Sequence, residues 1–232
     1  MSDLDSFLER FRLELSHRFG SDLLFFGIQG SHARGEAGPD SDIDPVVILS
    51  ECSKRELRIY SELLESFEER DLICGFAASA SQLQAWDRAD RVQLILDTKP
   101  LYTAEGYRLP SYTADDVSLA VLQCACALTH AVSHNILHER DWQLLKGQFK
   151  AARFVVRMKH LRDTGNYIAA FRELACHADD REKQILIAKE AYTEDDAWLL
   201  FEWASELVLP GQGKNKRNLH QAPLRLCQRS VM

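Results

Sequence analysis

The sequence predicts an α+β domain, a small mixed sheet with helices packed on it, followed by an all-α helical domain. Two observations carry this prediction. Up to about residue 108, short apolar runs of strand character alternate with helical stretches, the pattern of a sheet covered by helices. From Thr113 to Val208 nearly every stretch has helical spacing instead. The 232 residues suit one large or two small domains, and 46% hydrophobic residues are ample for a core. The expected division is a first domain at 1–108, a helical domain at 109–209 and a basic C-terminal tail at 210–232.

Leu4, Phe7, Leu8, Phe11, Leu15 and Phe19 recur on one face of a helix over 3–19, and Gly20 stops it. Leu23–Gln29 is the first strand. Gly30-Ser31 opens a short helix to about Glu36, and Gly38-Pro39 breaks the chain before a second strand, Asp42–Leu49. Leu57, Tyr60, Leu63, Leu64 and Phe67 mark a helix after Ser53. Asp71–Phe76 reads as a third strand. Ser81 is the expected cap of a helix holding Leu83 and Trp86, and a further helical segment covers about 90–97. Thr113 caps the next helix, with Asp116 in its first turn. Helices are then expected at 114–138, 141–163, 167–177, 180–190 and 194–208, with Asp163-Thr164-Gly165-Asn166 as a turn.

The stretch from Gly30 to Asp44 carries the chemistry. An apolar run leads into Gly30-Ser31, and eleven residues after Ser31 come Asp42 and Asp44, followed by a second apolar run. Side chains at i and i+2 of a strand share a face, so the two carboxylates stand side by side. Like charges held that close are costly unless a cation lies between them. The pattern points to a divalent-metal site with a phosphate-binding turn beside it. Pro45 follows the second Asp; it cannot donate to a sheet ladder but favours extended geometry at Asp44.

Gly-Ser followed at this spacing by Asp-x-Asp, each flanked by a strand-like run, resembles the signature of the polymerase-beta-like nucleotidyltransferase superfamily. The Ala33-Arg34-Gly35-Glu36-Ala37 segment looks closest to its bacterial minimal branch, and the helical C-terminal part is similar to antibiotic nucleotidyltransferases. The resemblance implies transfer of an NMP, AMP from ATP being the expected case, to a hydroxyl of a small acceptor of aminoglycoside or lincosamide type. It implies two Mg2+ ions, about 4 Å apart, held by Asp42, Asp44 and a third carboxylate on a later strand. Asp71 is the expected third ligand, with Glu69 and Asp97 as weaker candidates. Gly30 and Ser31 would meet the terminal phosphates. Arg34 would pair with phosphate or with an acid inside the site, or else form a structural salt bridge. Two other readings stay open: a protein-modifying adenylyltransferase of antitoxin type, and a nucleotide-binding module with a degenerate site.

In the helical part, Lys146, Lys150, Arg153 and Arg157 share one helix face. Either this face is solvated or it supplies a phosphate ligand, and Lys150 is then the expected one. His130, His134 and His138 lie one turn apart, a spacing open to zinc, to packing or, with Glu139, to general base work. Arg153 and His160 form an Arg-x6-His spacing resembling the ribonuclease motif of small helical toxins, but Phe154 stands where a polar residue is usual.

A net charge of −7 argues against broad nucleic-acid binding, which needs a basic footprint. It suits a small cationic acceptor, a protein partner or a homodimer. No apolar run approaches the ~20 residues of a membrane span, so no membrane partner is expected. The acidic N-terminus lacks a secretory signal, and six scattered cysteines read as reduced thiols of a cytoplasmic protein.

Overall fold

Sheet formation starts from four short strands: β1 (Leu23–Gln29), β2 (Asp44–Leu49), β3 (Phe76–Ser79) and β4 (Lys99–Thr103). They pair in the order β3-β2-β1-β4. β1 is antiparallel to β2 and β4, and β2 is parallel to β3. The end of β1 and the starts of the other three therefore lie at one end of the sheet. The computed structural model describes residues 3–38, 41–187 and 189–209, so the expected basic tail at 210–232 lies outside the described residues.

Strand alternation sends two side-chain sets to opposite faces. One face carries Phe26, Ile28, Val47 and Leu49. It packs against Phe7, Phe11 and Leu15 of α1 (Asp3–Phe19) and Tyr60 and Leu63 of α3 (Lys54–Leu64). Phe11 is the hub, its ring 5.1 Å from Phe67 and 5.6 Å from Phe26. The other face carries Phe25, Val46, Ile48 and Ala78, covered by Leu83 of α4 (Ala80–Ala85) and Leu94 of α5 (Arg88–Asp97). A five-residue helix, α2 (Gly30–Arg34), follows β1 directly.

Several expectations shift. The third strand is Phe76–Ser79, not 71–76: Arg70–Leu72 forms a 3-10 turn, and Ile73 makes only an isolated bridge to Ile43. Ser79 rather than Ser81 caps α4, and Trp86 lies just beyond its end. β4 has no counterpart in the sequence reading. Its pattern, Lys99-Pro100-Leu101-Tyr102-Thr103, is polar and exposed at an edge, where proline is tolerated. Pro45 is accommodated because Gly75 stands opposite: a Cβ there would come within 2.1 Å of the Pro45 carbonyl oxygen.

Two compact units emerge, Met1–Ala120 and Val121–Met232. The division falls inside α6 (Ala114–His134) rather than at 108, because Tyr107 and Leu109 pack on the first unit's core and Asp116 is ion-paired with Arg88 of α5. The Thr113 cap forms as expected, with the Asp116 carboxylate accepting from the Thr113 N–H at 2.8 Å. The helix continues through a π-turn at Asn135–Glu139. By length and composition, Ala114–Glu139 meets the measure of a membrane span, which the sequence reading had not credited. Its Val121, Ala125, Leu128 and Val132 are nonetheless buried.

The second unit adds α7 (Leu145–Thr164), α8 (Phe171–Leu174), α9 (Asp180–Leu186) and α10 (Glu194–Val208). α8 and α9 are shorter than the expected 167–177 and 180–190. Gln148 of α7 donates to the Ala131 carbonyl. Asp196 both caps α10 and pairs with Lys189.

Two outcomes follow for stability. Phe11→Ala should cost ~3–5 kcal/mol in urea unfolding, since a fully buried aromatic is truncated. Burial pushes the Asp116 carboxyl up, but bonds from Thr113 and Arg88 outweigh it and hold the group below the usual carboxylate range. Its contribution is complete above the ~3.9 of an unfolded aspartate and is lost as pH falls through the folded value. Asp116→Asn should therefore show a shallower stability loss between pH 5 and 3.

Candidate active site

The site forms where β1 ends and β2 begins. Gln29 stands opposite Asp44 in the antiparallel pairing. Asp44 shares a face with Val46 and Ile48, while Ile43 is buried in the opposite core. Alternation thus turns Asp42 and Asp44 to one side of the sheet, Asp42 exposed and Asp44 half-buried. Gly30 sits against Asp44. A Cβ built on it would fall 2.1 Å from Asp44 Oδ2, and its φ of +72° belongs to the left-handed region. Ser31, half-buried, begins α2 beside it.

Four contacts brace this corner. Gln29 donates to Thr98 Oγ1 at 2.8 Å and to the Leu94 carbonyl at 3.0 Å. A His32 ring nitrogen lies 3.4 Å from the Ser41 carbonyl, linking α2 to the residues before Asp42. Arg34 Nε donates to Glu36 at 2.8 Å, the ion pair weighed against a phosphate contact in the sequence reading. Neither Gln29 nor His32 belongs to any sequence pattern, so nothing short of the fold could find them.

Asp71 is exposed in the 3-10 turn before β3 and does not start a strand. The β2–β3 register, Ile43 opposite Ile73 and Val46 opposite Phe76, makes Leu72 and Cys74 the neighbours of Asp42 and Asp44. The strand positions beside the doublet thus carry a leucine and a thiol. Of the weaker candidates, Glu69 is paired with Arg10 at 2.7 Å, and Asp97 is buried at the end of α5. Among the described residues no three His, Cys, Asp or Glu side chains converge to hold a metal ion. Two carboxylates still suit Mg2+, which commonly takes one or two, completing its shell with phosphate oxygens and water.

The second unit's candidates divide. Arg153 donates to the Ile185 and Ile187 carbonyls at 3.1 and 3.2 Å, capping the end of α9. Arg157 is buried, bonded to the Tyr167 hydroxyl and 5.0 Å from the Phe171 ring. Lys146 and Lys150 are exposed. The Arg-x6-His spacing makes no joint site, since Arg153 caps α9 while His160 faces His177 at 5.5 Å between ring centroids. Burial and the neighbouring imidazole lower the His160 pKa. His130, His134 and His138 are exposed, with His134 3.7 Å from Glu139.

Residues 8–96 match the model of the nucleotidyltransferase domain. The chain is similar in structure to spectinomycin adenyltransferase AAD(9) from Enterococcus faecialis, solved with ATP and spectinomycin. That alignment has 14% identity and a TM-score of 0.57, and covers 86% of this chain and 97% of the other. A toxin-antitoxin structure with AMP-PNP aligns at 17% identity over 55% of this chain and 91% of that one, with a TM-score of 0.32, too low to carry an argument. No curated protein sequence matches the chain. The fold and the matched domain define a nucleotidyltransferase. Residues 8–96 form a nucleotidyltransferase domain of the polymerase-beta-like kind.

Gly30 and Gly35 give an internal control. Both have positive φ, but nothing lies within 4 Å of a Cβ at Gly35. Gly35→Ala should cost ~1–2 kcal/mol for the left-handed backbone alone. Gly30→Ala should cost more in the same urea titration and displace Asp44, cutting nucleotide binding at least about tenfold.

Proposed function

We propose that the protein transfers AMP from ATP to a hydroxyl of a small-molecule acceptor. The observation that carries this is the Asp42–Asp44 pair turned to one face with the side-chain-free Gly30 pressed against it. The likeness in fold to a spectinomycin adenyltransferase solved with ATP and spectinomycin supports it. Gly30 lets backbone approach the triphosphate, and Ser31 offers its N–H and hydroxyl to the terminal phosphates. Asp42 and Asp44 would hold Mg2+, which when bound neutralises phosphate charge. Arg34 enters the proposal as a further phosphate contact. The acceptor oxygen bonds the α-phosphorus, the bond to the bridging oxygen breaks, pyrophosphate leaves, and the hydroxyl proton passes to water. Cys52, Cys74, Cys124, Cys126 and Cys176, none of them in a disulfide, suit the reducing cytoplasm we propose as the setting.

A second reading, nucleotide binding without turnover, draws on Leu72 and Cys74 standing beside the doublet in place of a third acid. Calorimetry with a non-hydrolysable ATP analogue, with and without Mg2+, together with release of pyrophosphate, separates the two. Asp42→Ala and Asp44→Ala should each cut Mg2+-dependent transfer at least about 100-fold while circular dichroism stays unchanged. Full activity in either variant defeats the metal assignment. Loss of turnover in Asp71→Asn assigns that exposed acid the third ligand; unchanged turnover leaves the doublet to act with substrate oxygens.

A further inference from the structure

The second unit holds a cavity of ≈ 200 Å³ that nucleotidyl transfer does not use. It lies wholly within that unit, lined by the end of α7, the turn after α8 and the start of α9. Two imidazoles line it, His160 from α7 and His177 from the turn, their ring centroids 5.5 Å apart at 43°. Asp163 follows His160 by three residues on the same helix face and lines the same cavity. Glu182, in the first turn of α9, adds a carboxylate that is 5% exposed. Its Oε2 accepts from the Asp179 N–H at 3.2 Å, and its Oε1 lies 3.0 Å from Lys159 Nζ. Lys159 also reaches Asp163 at 3.3 Å. The lining thus sets two carboxylates against one ammonium, an excess that favours a cation. Burial, and then the neighbouring His177, holds His160 below the ordinary imidazole value. At neutral pH the ring is neutral, the form that binds metal.

We propose that His160, His177 and Asp163 form a zinc site in the helical unit. Zinc–nitrogen bonds of about 2.0–2.1 Å set two imidazoles on one tetrahedral ion with centroids roughly 5 Å apart. The two rings already stand close to that separation, at 5.5 Å. Without the ion, Asp163 is drawn to Arg162 at 2.9 Å and to Lys159, so two ligands face each other and the third is turned aside. The Asp163 side chain is 43% exposed, which leaves it room to turn inward. The ion takes one nitrogen from each ring and an Asp163 oxygen, and water or Glu182 fills the fourth position. Its charge replaces that of Lys159 beside Glu182, and the long lysine stem swings to solvent. Imidazole suits zinc, whereas magnesium prefers oxygen ligands. The site therefore differs in chemistry from the Asp42–Asp44 doublet, and it stands whether or not the protein transfers nucleotides. Bound there, the ion ties the end of α7 to the chain between α8 and α9.

The test titrates the full-length protein, reduced and in excess Mg2+, with Zn2+ by calorimetry and with Co2+ by visible absorption. One Zn2+ per chain should bind through this site and raise the thermal unfolding midpoint, since it binds the folded state alone. His160→Ala and His177→Ala should each weaken that binding at least about tenfold, more than loss of an outer-shell partner does. Asp163→Asn should weaken it as well. His177 is exposed, so its variant should keep the wild-type circular dichroism and metal-free unfolding midpoint. His134→Ala, in the exposed stripe on α6, should leave the affinity unchanged. Co2+ should give a tetrahedral spectrum without a thiolate charge-transfer band. Absence of Zn2+ binding overturns the site, as does wild-type affinity in either His160→Ala or His177→Ala. Wild-type affinity in Asp163→Asn overturns the three-ligand set. Loss of binding in His134→Ala moves the ion to the α6 stripe, and a thiolate band moves it to a cysteine; either result defeats the proposal.

Discussion

Asp44 can stand where it does only because residue 30 has no side chain. The carboxylate occupies the space a Cβ would fill, 2.1 Å from its Oδ2, and the backbone there turns through a positive φ. Both demands meet in glycine alone. The contact ties the end of β1 to the start of β2, so the Gly30-Ser31 turn and the acidic pair move as one body. Gln29, bonded to Thr98 and the Leu94 carbonyl, anchors the same corner to α5. His32 anchors it to Ser41.

That corner is positioned by a sheet whose two faces are packed unequally. One face lies under the long helices α1 and α3, with an aromatic cluster centred on Phe11. The other has a smaller core under α4 and α5. Asp42 and Asp44 belong to the second face, at its rim, where helix cover ends. A like-charged pair is tolerated there because water and incoming cations reach it.

In the helical unit, tertiary contacts decide which charges are structural. Lys146, Lys150, Arg153 and Arg157 look equivalent on a helical wheel. Arg153 closes the end of α9, and Arg157 is buried between Tyr167 and Phe171. Both use the planar guanidinium, which supplies several directed donors where an ammonium supplies a point charge. The lysines are the exposed members of the stripe.

Local chemistry was enough to place α1, β1 and α10, because each has a clean apolar period and a clear stop. It was also enough to place Asp42 and Asp44 together, since i and i+2 share a face in any strand. The cap at Thr113 was legible for the same reason: its partner, Asp116, lies three residues away. The start of β3, the edge strand β4 and the neighbours of the doublet were not legible. They depend on register between strands some thirty residues apart, and a register shift of one residue would exchange Cys74 for Ile73 beside Asp44. From its residues alone the protein was determined to carry a Gly-Ser turn and a paired-carboxylate motif on a small sheet. Only the packed sheet decided that Leu72 and Cys74, not Asp71, stand across from that motif, because pairing between distant strands is set by burial of both faces at once.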